Sequence, residues 1–181
     1  MKKILIAWLP FAVLVTALCG LVYATVQQNY RQNANDPQIQ MAEDIADALE
    51  TGKSPASFVS VAPVQSDIAK TLAPFVIIFD DSMHPIVSTA IVSGKTPIPP
   101  SGIFDFVKSH GEERLTWQPA EGVRIAAIVR FFAGSEPGFV LVGRSLREVE
   151  KREAQLGFFC LVAWIGLLVT TWFAAVFIAK N

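Results

Sequence analysis

Between the two long apolar stretches of this chain there is no cysteine: Cys19 and Cys160 are the only two, and both fall inside those stretches. The segment they flank must hold its core without a disulfide, and cysteine usage leaves its redox compartment open. Basic runs are missing too. Residues 27–155 carry 12 Lys and Arg against 16 Asp and Glu, with no cationic cluster and no interleaved aromatic stripe, which argues against nucleic acid as a partner. HExxH, GxSxG and glycine-rich phosphate loops are all absent, so the short signatures of zinc proteases, serine hydrolases and nucleotide binders are not there to be used. Neither an enzyme nor a cofactor is expected.

Apolar length is what the chain has in quantity. Ile4 to Val26 and Gly157 to Ala179 each run without Asp, Glu, Lys, Arg or His, and each exceeds the roughly 20 residues that cross a hydrocarbon core. Both predict transmembrane helices. A cleavable signal peptide is the competing reading of the first, because Lys2 and Lys3 form a basic start and Val22-Tyr23-Ala24 suits cleavage. The apolar core is longer than the roughly 7–15 residues of such a signal, which favours an uncleaved anchor. A lipid-modified start at Cys19 is disfavoured by the bulky Leu18 before it.

The chain therefore divides into a membrane helix at 1–26, a segment of single-domain length at 27–155 and a second membrane helix at 156–181. Lys2 and Lys3 put the N-terminus in the cytoplasm, whereas Arg144, Arg147, Lys151 and Arg152 outnumber Lys180 around the second span and pull the other way. The first helix usually dominates, and long domains translocate largely regardless of charge. The expectation is a domain outside the cytoplasm with both termini inside.

Within the domain, Asn35-Asp36-Pro37 is a helix-start signal, and Ile39, Ala42, Ile45, Ala46 and Leu49 recur on one face until Gly52, predicting a helix over 37–51. Residues 52–74 read as loop, with a weak short helix near Ser66 to Leu72. "PFVIIFDDSMHPIVSTA" reads as a hairpin with strands near 75–80 and 85–91. A short helix follows at 101–109, closed by Gly111, and then strands near 112–118, 122–132 and 138–144, divided by turn residues. The cluster Asp80, Asp81, Ser82 and His84 has the composition of a metal or nucleophile site, but these are also ordinary turn residues whose side chains diverge. His110, beside Gly111, reads as a helix-end residue.

The strand at 122–132 has one face made of Val123, Ile125, Ala127, Val129 and Phe131. Its other face mixes Ala126, Ile128 and Phe132 with two cations, Arg124 and Arg130. That composition fits a partly covered concavity. The plainer reading is that these arginines end in water or pair with Asp80, Asp81 or Glu113. After the last strand, Val142, Leu146, Val149 and Leu156 have heptad spacing interrupted by Glu153, which fits either a homodimer seam or packing on the domain's own first helix.

The order of elements, with "FVIIFDDSMHPIVSTA", "ERLTWQP", "GVRIAAIVRFF" and "GFVLVGRSLREVEKRE" as hairpin, central strands and exit, resembles the extracytoplasmic PAS-like (Cache-type) sensor domains of bacterial histidine kinases and chemoreceptors. The resemblance covers most of residues 30–155 and implies an α+β fold, a five-stranded antiparallel sheet with flanking helices, between two transmembrane helices. It further implies a two-pass protein of the bacterial inner membrane whose extracytoplasmic domain binds a small molecule. By position Trp117, Arg124 and Arg130 become the candidate ligand-binding residues, and the arginines suggest an anion. Only Lys180 and Asn181 follow the second span, with no kinase or methyl-accepting module, so the signal is expected to pass to a separate membrane partner. The alternative is a scaffold or assembly subunit whose domain binds protein instead.

Topology is the first consequence open to test. A periplasm-active reporter fused after residue 100 should be active, and a cytoplasm-active reporter at the same place silent; the reverse pattern would invert the orientation.

Overall fold

The structure, a computed structural model, describes residues 2–33, 36–58 and 65–180. In chain order the elements are α1 (Lys2–Asn33), α2 (Asp36–Glu50), β1 (Ser66–Asp67), β2 (Phe75–Asp80), β3 (Pro85–Ser88), β4 (Ala90–Ile91), α3 (Ser101–His110), β5 (Glu112–Ala120), β6 (Val123–Phe132), β7 (Gly138–Ser145) and α4 (Arg147–Lys180). The chain forms two compact units, Met1–Arg31 with Val149–Asn181, and Gln32–Glu148.

The first unit contains two helices long and apolar enough to cross a membrane, from Lys2 to Tyr30 and from Arg147 to Ala179. They pack antiparallel. The Trp8 indole N–H donates to Thr171 Oγ1 at 3.1 Å and to the Leu168 carbonyl at 3.3 Å, and the Trp164 indole donates to Thr16 Oγ1 at 3.0 Å. Trp8 also meets Trp172 edge-on, with ring centroids 5.4 Å apart. Their outward faces carry large apolar side chains, Ile6, Val13, Leu21, Phe159 and Phe173 among them. That is the surface a bilayer solvates.

In the second unit five strands form one antiparallel sheet, in the order β3-β2-β7-β6-β5. α2 starts at Asp36, and Asn35, the expected cap, lies outside the described residues. The helix ends in a Schellman motif: Lys53 N–H bonds the Ala48 carbonyl, Gly52 N–H bonds the Leu49 carbonyl, and Gly52 takes a φ of 90° that a side chain would strain. Its apolar stripe, Ala42, Ile45, Ala46 and Leu49, lies on Val76, Ile78, Ile128, Phe132, Val140 and Val142. The opposite sheet face is covered by α3, where Phe104 meets Phe79 and Phe139 edge-on at 4.9 and 5.1 Å between centroids. The expected α+β architecture is the one observed.

Three local expectations change. Ser66 to Leu72 is not a helix: Ser66 and Asp67 pair in parallel with Ala90 and Ile91, which uses their backbone groups in a ladder. The strand expected at 85–91 breaks at Thr89, so that β4 leaves the main sheet to meet β1. The heptad seam also fails in its first half. Val142 is a fully buried residue of β7 registered against Val76 and Ile128, and Leu146 precedes α4 with its N–H on the Arg124 carbonyl.

β7 carries two glycines for a steric reason. A Cβ at Gly138 would overlap the backbone carbonyl of Phe79 and come 2.9 Å from Phe132, and one at Gly143 would overlap the Phe75 ring. Gly138→Ala meets immovable backbone and should destabilise by about 3 kcal/mol or more, at the upper end of overpacking effects. Thermal melting followed at the domain's near-ultraviolet signal checks this, and an unchanged midpoint would contradict the register.

Candidate functional site

The three residues singled out from the sequence do not share one site. Trp117 is registered opposite Ile125 and packs, half-buried, on the α3 face of the sheet. Arg124 and Arg130 belong to the even-numbered face of β6, which Ala126, Ile128 and Phe132 turn toward α2. A strand's side chains alternate, so residues 117 and 124, paired one position out of phase, are on opposite faces. Arg130 is an ion-pair node: its Nη1 lies 3.0 Å from Glu43 Oε1 on α2 and 3.4 Å from Glu112 Oε2 on β5. For Arg130 these two carboxylates stand in place of the expected Asp80, Asp81 or Glu113. Arg124 is exposed and is itself engaged in an interaction.

Asp80 and Asp81 build the turn after β2. The Asp80 carboxylate accepts the His84 N–H at 2.8 Å, Asp81 pairs with Lys108 of α3 at 2.6 Å, and Met83 takes a φ of 65°. Among the described residues no group of three or more His, Cys, Asp or Glu is arranged to hold a metal ion. His110 ends α3, with Nδ1 3.0 Å from the Phe106 carbonyl and its ring stacked on Phe106 at 3.9 Å.

A concavity does lie on the α2 side of the sheet, and neither Trp117 nor Arg124 nor Arg130 lines it. Its volume is about 500 Å³, within the usual range for a small-molecule site. Ile45, Val76 and Thr89 are its buried floor, Met41 and Phe58 its apolar walls, and Gln40, Asp44, Lys53 and Ser57 its polar rim. The Schellman turn at Gly52 delivers Lys53, whose Nζ sits 5.2 Å from the centre of the Phe58 ring. The Asp44 side chain is exposed at that rim. The site thus offers an apolar bed with one cation and one anion at its edge. A second cavity, next to the first through Lys53, is bordered by Asp80, Asp81 and Glu136 and has an acidic margin. The sequence signal for the first cleft was weak: Gln40 and Asp44 are an i,i+4 pair on the polar side of α2, and the Lys53 to Phe58 turn reads only as loop.

Thr89 ties the floor together. Its hydroxyl accepts the Val76 N–H at 2.8 Å and donates to the Val76 carbonyl at 3.2 Å, which satisfies the sheet where β3 breaks. Its own carbonyl accepts Ser66 N–H at 2.8 Å, leading into a turn held by Asp67. There Oδ1 of Asp67 accepts the Ala69 N–H at 3.1 Å, and Oδ2 lies 3.1 Å from Lys70 Nζ. The bond from Lys70, seconded by the Ala69 N–H, holds the Asp67 carboxyl below its ordinary value of 3.8, against a small opposing effect of burial.

A depressed carboxylate stabilises the folded state above its unfolded value, and that contribution is lost as pH falls through the lower folded value. The 67–71 turn should therefore be intact at neutral pH and loosen only below about pH 3.8. In a carboxyl NMR titration Lys70→Gln should raise the Asp67 midpoint toward the ordinary value; no movement would mean that the lysine does not hold it.

Comparison with known proteins gives little beyond this geometry. No protein-family model matches the chain, and no curated protein matches it. Among solved structures it is similar to the ligand-binding domain of the Pseudomonas aeruginosa PAO1 amino acid chemoreceptor PctB in complex with L-Gln. The identity is 17% and the TM-score 0.46, over 76% of this chain and 57% of that one, so the chain spans less than two thirds of that neighbour's length.

Proposed function

We propose that this chain is a two-pass protein of the bacterial inner membrane whose central domain, outside the cytoplasm, binds a small molecule and signals to a separate membrane partner. The observation that carries the reading is the 500 Å³ cleft between α2 and the sheet, apolar at its floor and charged at its rim. Two apolar helices enclosing one α+β domain in sequence support the membrane part. The domain works as a binding module in this reading, with no bond made or broken.

The ligand is read as a small amphipathic acid. Its apolar body covers Ile45, Val76 and Phe58, its acid group meets Lys53, and a hydrogen-bond donor on it meets the Asp44 carboxylate at the rim. Lys53 takes over the role expected of Arg130, because Arg130 already faces two carboxylates and an anion there must displace Glu43 or Glu112. Trp117, on the other sheet face, serves the core in this reading.

The test is a thermal-shift screen of the full chain in lipid nanodiscs against small carboxylic acids, followed by variants on any hit. Lys53→Ala should weaken binding by about tenfold, the loss of one charged hydrogen bond at an open rim. Arg130→Ala should change affinity little. Loss of binding in Arg124→Ala or Arg130→Ala but not in Lys53→Ala would move the site to the arginines. An absence of any hit, together with a protein that co-purifies from native membranes, would turn the reading to a scaffold subunit.

A further inference from the structure

The cleft floor and the start of α4 are joined by a short chain of hydrogen bonds. Thr89, at the floor, accepts Ser66 N–H at 2.8 Å, and Ile68 N–H continues the same ladder onto the Ile91 carbonyl at 3.0 Å. Asp67 then closes a tight turn: its carbonyl accepts both Lys70 and Thr71 N–H at 2.9 Å, and its carboxylate accepts Ala69 N–H. This fold aims two consecutive carbonyls, Ala69 and Lys70, the same way. Arg147, first residue of α4, donates Nη1 to the Ala69 carbonyl at 2.9 Å and Nη2 to the Lys70 carbonyl at 3.0 Å.

A planar guanidinium fork suits two adjacent acceptors, and a lysine cannot reproduce it. Among the described residues the guanidinium donates to these two backbone carbonyls and to no carboxylate. The start of α4 has further fixings, Leu146 N–H on the Arg124 carbonyl at 2.9 Å and Arg147 N–H on Ser145 Oγ at 3.3 Å. The Arg147 fork is the one that leads back to the cleft. In the structure the fork engages both carbonyls at once.

We infer that Arg147 is the coupling residue of the domain: it fastens the start of α4 to the 67–71 turn, whose position is set from the cleft floor through Thr89 and Ser66. Occupation of the cleft, which takes its meaning from the sensor reading above, is then read out at the first residue of the helix that carries the second apolar stretch. Arg147 is a positioning residue here and touches no ligand.

Coupling is reciprocal, so it is measurable with no ligand present. Hydrogen exchange of the full chain in nanodiscs is the experiment, with Thr89→Val and Arg147→Lys singly and together. Thr89→Val should speed exchange at the distant Leu146 and Arg147 amides, and Arg147→Lys should speed it at Ser66 and Ile68, each by about tenfold, with the double variant no faster than the larger single. Amides of Val129 and Val140 in the central strands should not change, as they would in general destabilisation. Because Thr89 is buried, Asp67→Asn at the half-buried turn repeats the test from the middle of the path and should open both ends. Effects confined to the mutated end, or additive in the double variant, overturn the inference. A failed ligand screen with reciprocal exchange condemns the ligand reading alone, and a found ligand with one-sided exchange condemns the coupling alone.

Discussion

Because every residue of β2 from Phe75 to Phe79 is buried, the strand can leave neither face in water, and the domain must supply two apolar covers for its sheet. α2 is one, through Ala42, Ile45, Ala46 and Leu49, and α3 the other, through Phe104 and Val107. Each large side chain taken from water in this way contributes on the order of 1.5–3 kcal/mol, so losing either cover removes far more than any surface ion pair supplies. The same demand makes Gly138 and Gly143 necessary, since the central strand β7 is squeezed between β2 and β6 with an aromatic ring at each site. The cleft lies beside α2, where Ile45 of the helix, Val76 of β2 and Thr89, at which β3 ends, form its floor.

Two cations on the α2 face look out of place beside Ile128 and Phe132. Arg130 resolves this through Glu43 on the helix and Glu112 on the neighbouring strand, which join cover and sheet at the margin of the core. With its side chain about a third exposed, the pair is only partly desolvated and contributes modestly to stability.

Element order and most boundaries were legible because the domain obeys simple periodicities. The stripe at Ala42, Ile45, Ala46 and Leu49, the alternation in β6 and the turn at Asp80 to Pro85 each follow from local chemistry, and the structure has them where the pattern puts them. The misreadings share one cause, long-range pairing. Ser66 and Asp67 have nothing strand-like about them until Ala90 and Ile91 arrive as partners, and Val142 resembles a heptad position only while its sheet neighbours are unknown. The site was harder still. Parity alone shows that Arg124 and Arg130 share a face, but separating Trp117 from them takes the register of β5 on β6, which no single strand contains. Lys53 escapes notice because its placement depends on a helix end folding back, through the Gly52 turn, toward Phe58.

For the two candidate membrane helices a different balance applies. In lipid, apolar helices gain nothing by hiding from solvent, so close packing and a few polar contacts decide whether they stay together. Here the contacts are the two indole donors, and each accepting threonine also donates to its own helix, Thr16 to Ala12 and Thr171 to Leu167, both at 2.8 Å. The threonine hydroxyls are therefore used in both directions and leave no polar hydrogen facing lipid. Interhelical bonds of this kind average about 0.6 kcal/mol, so a handful amounts to about 2 kcal/mol. The polar contacts therefore bias the pair toward one arrangement only slightly, and close packing carries the rest of the association.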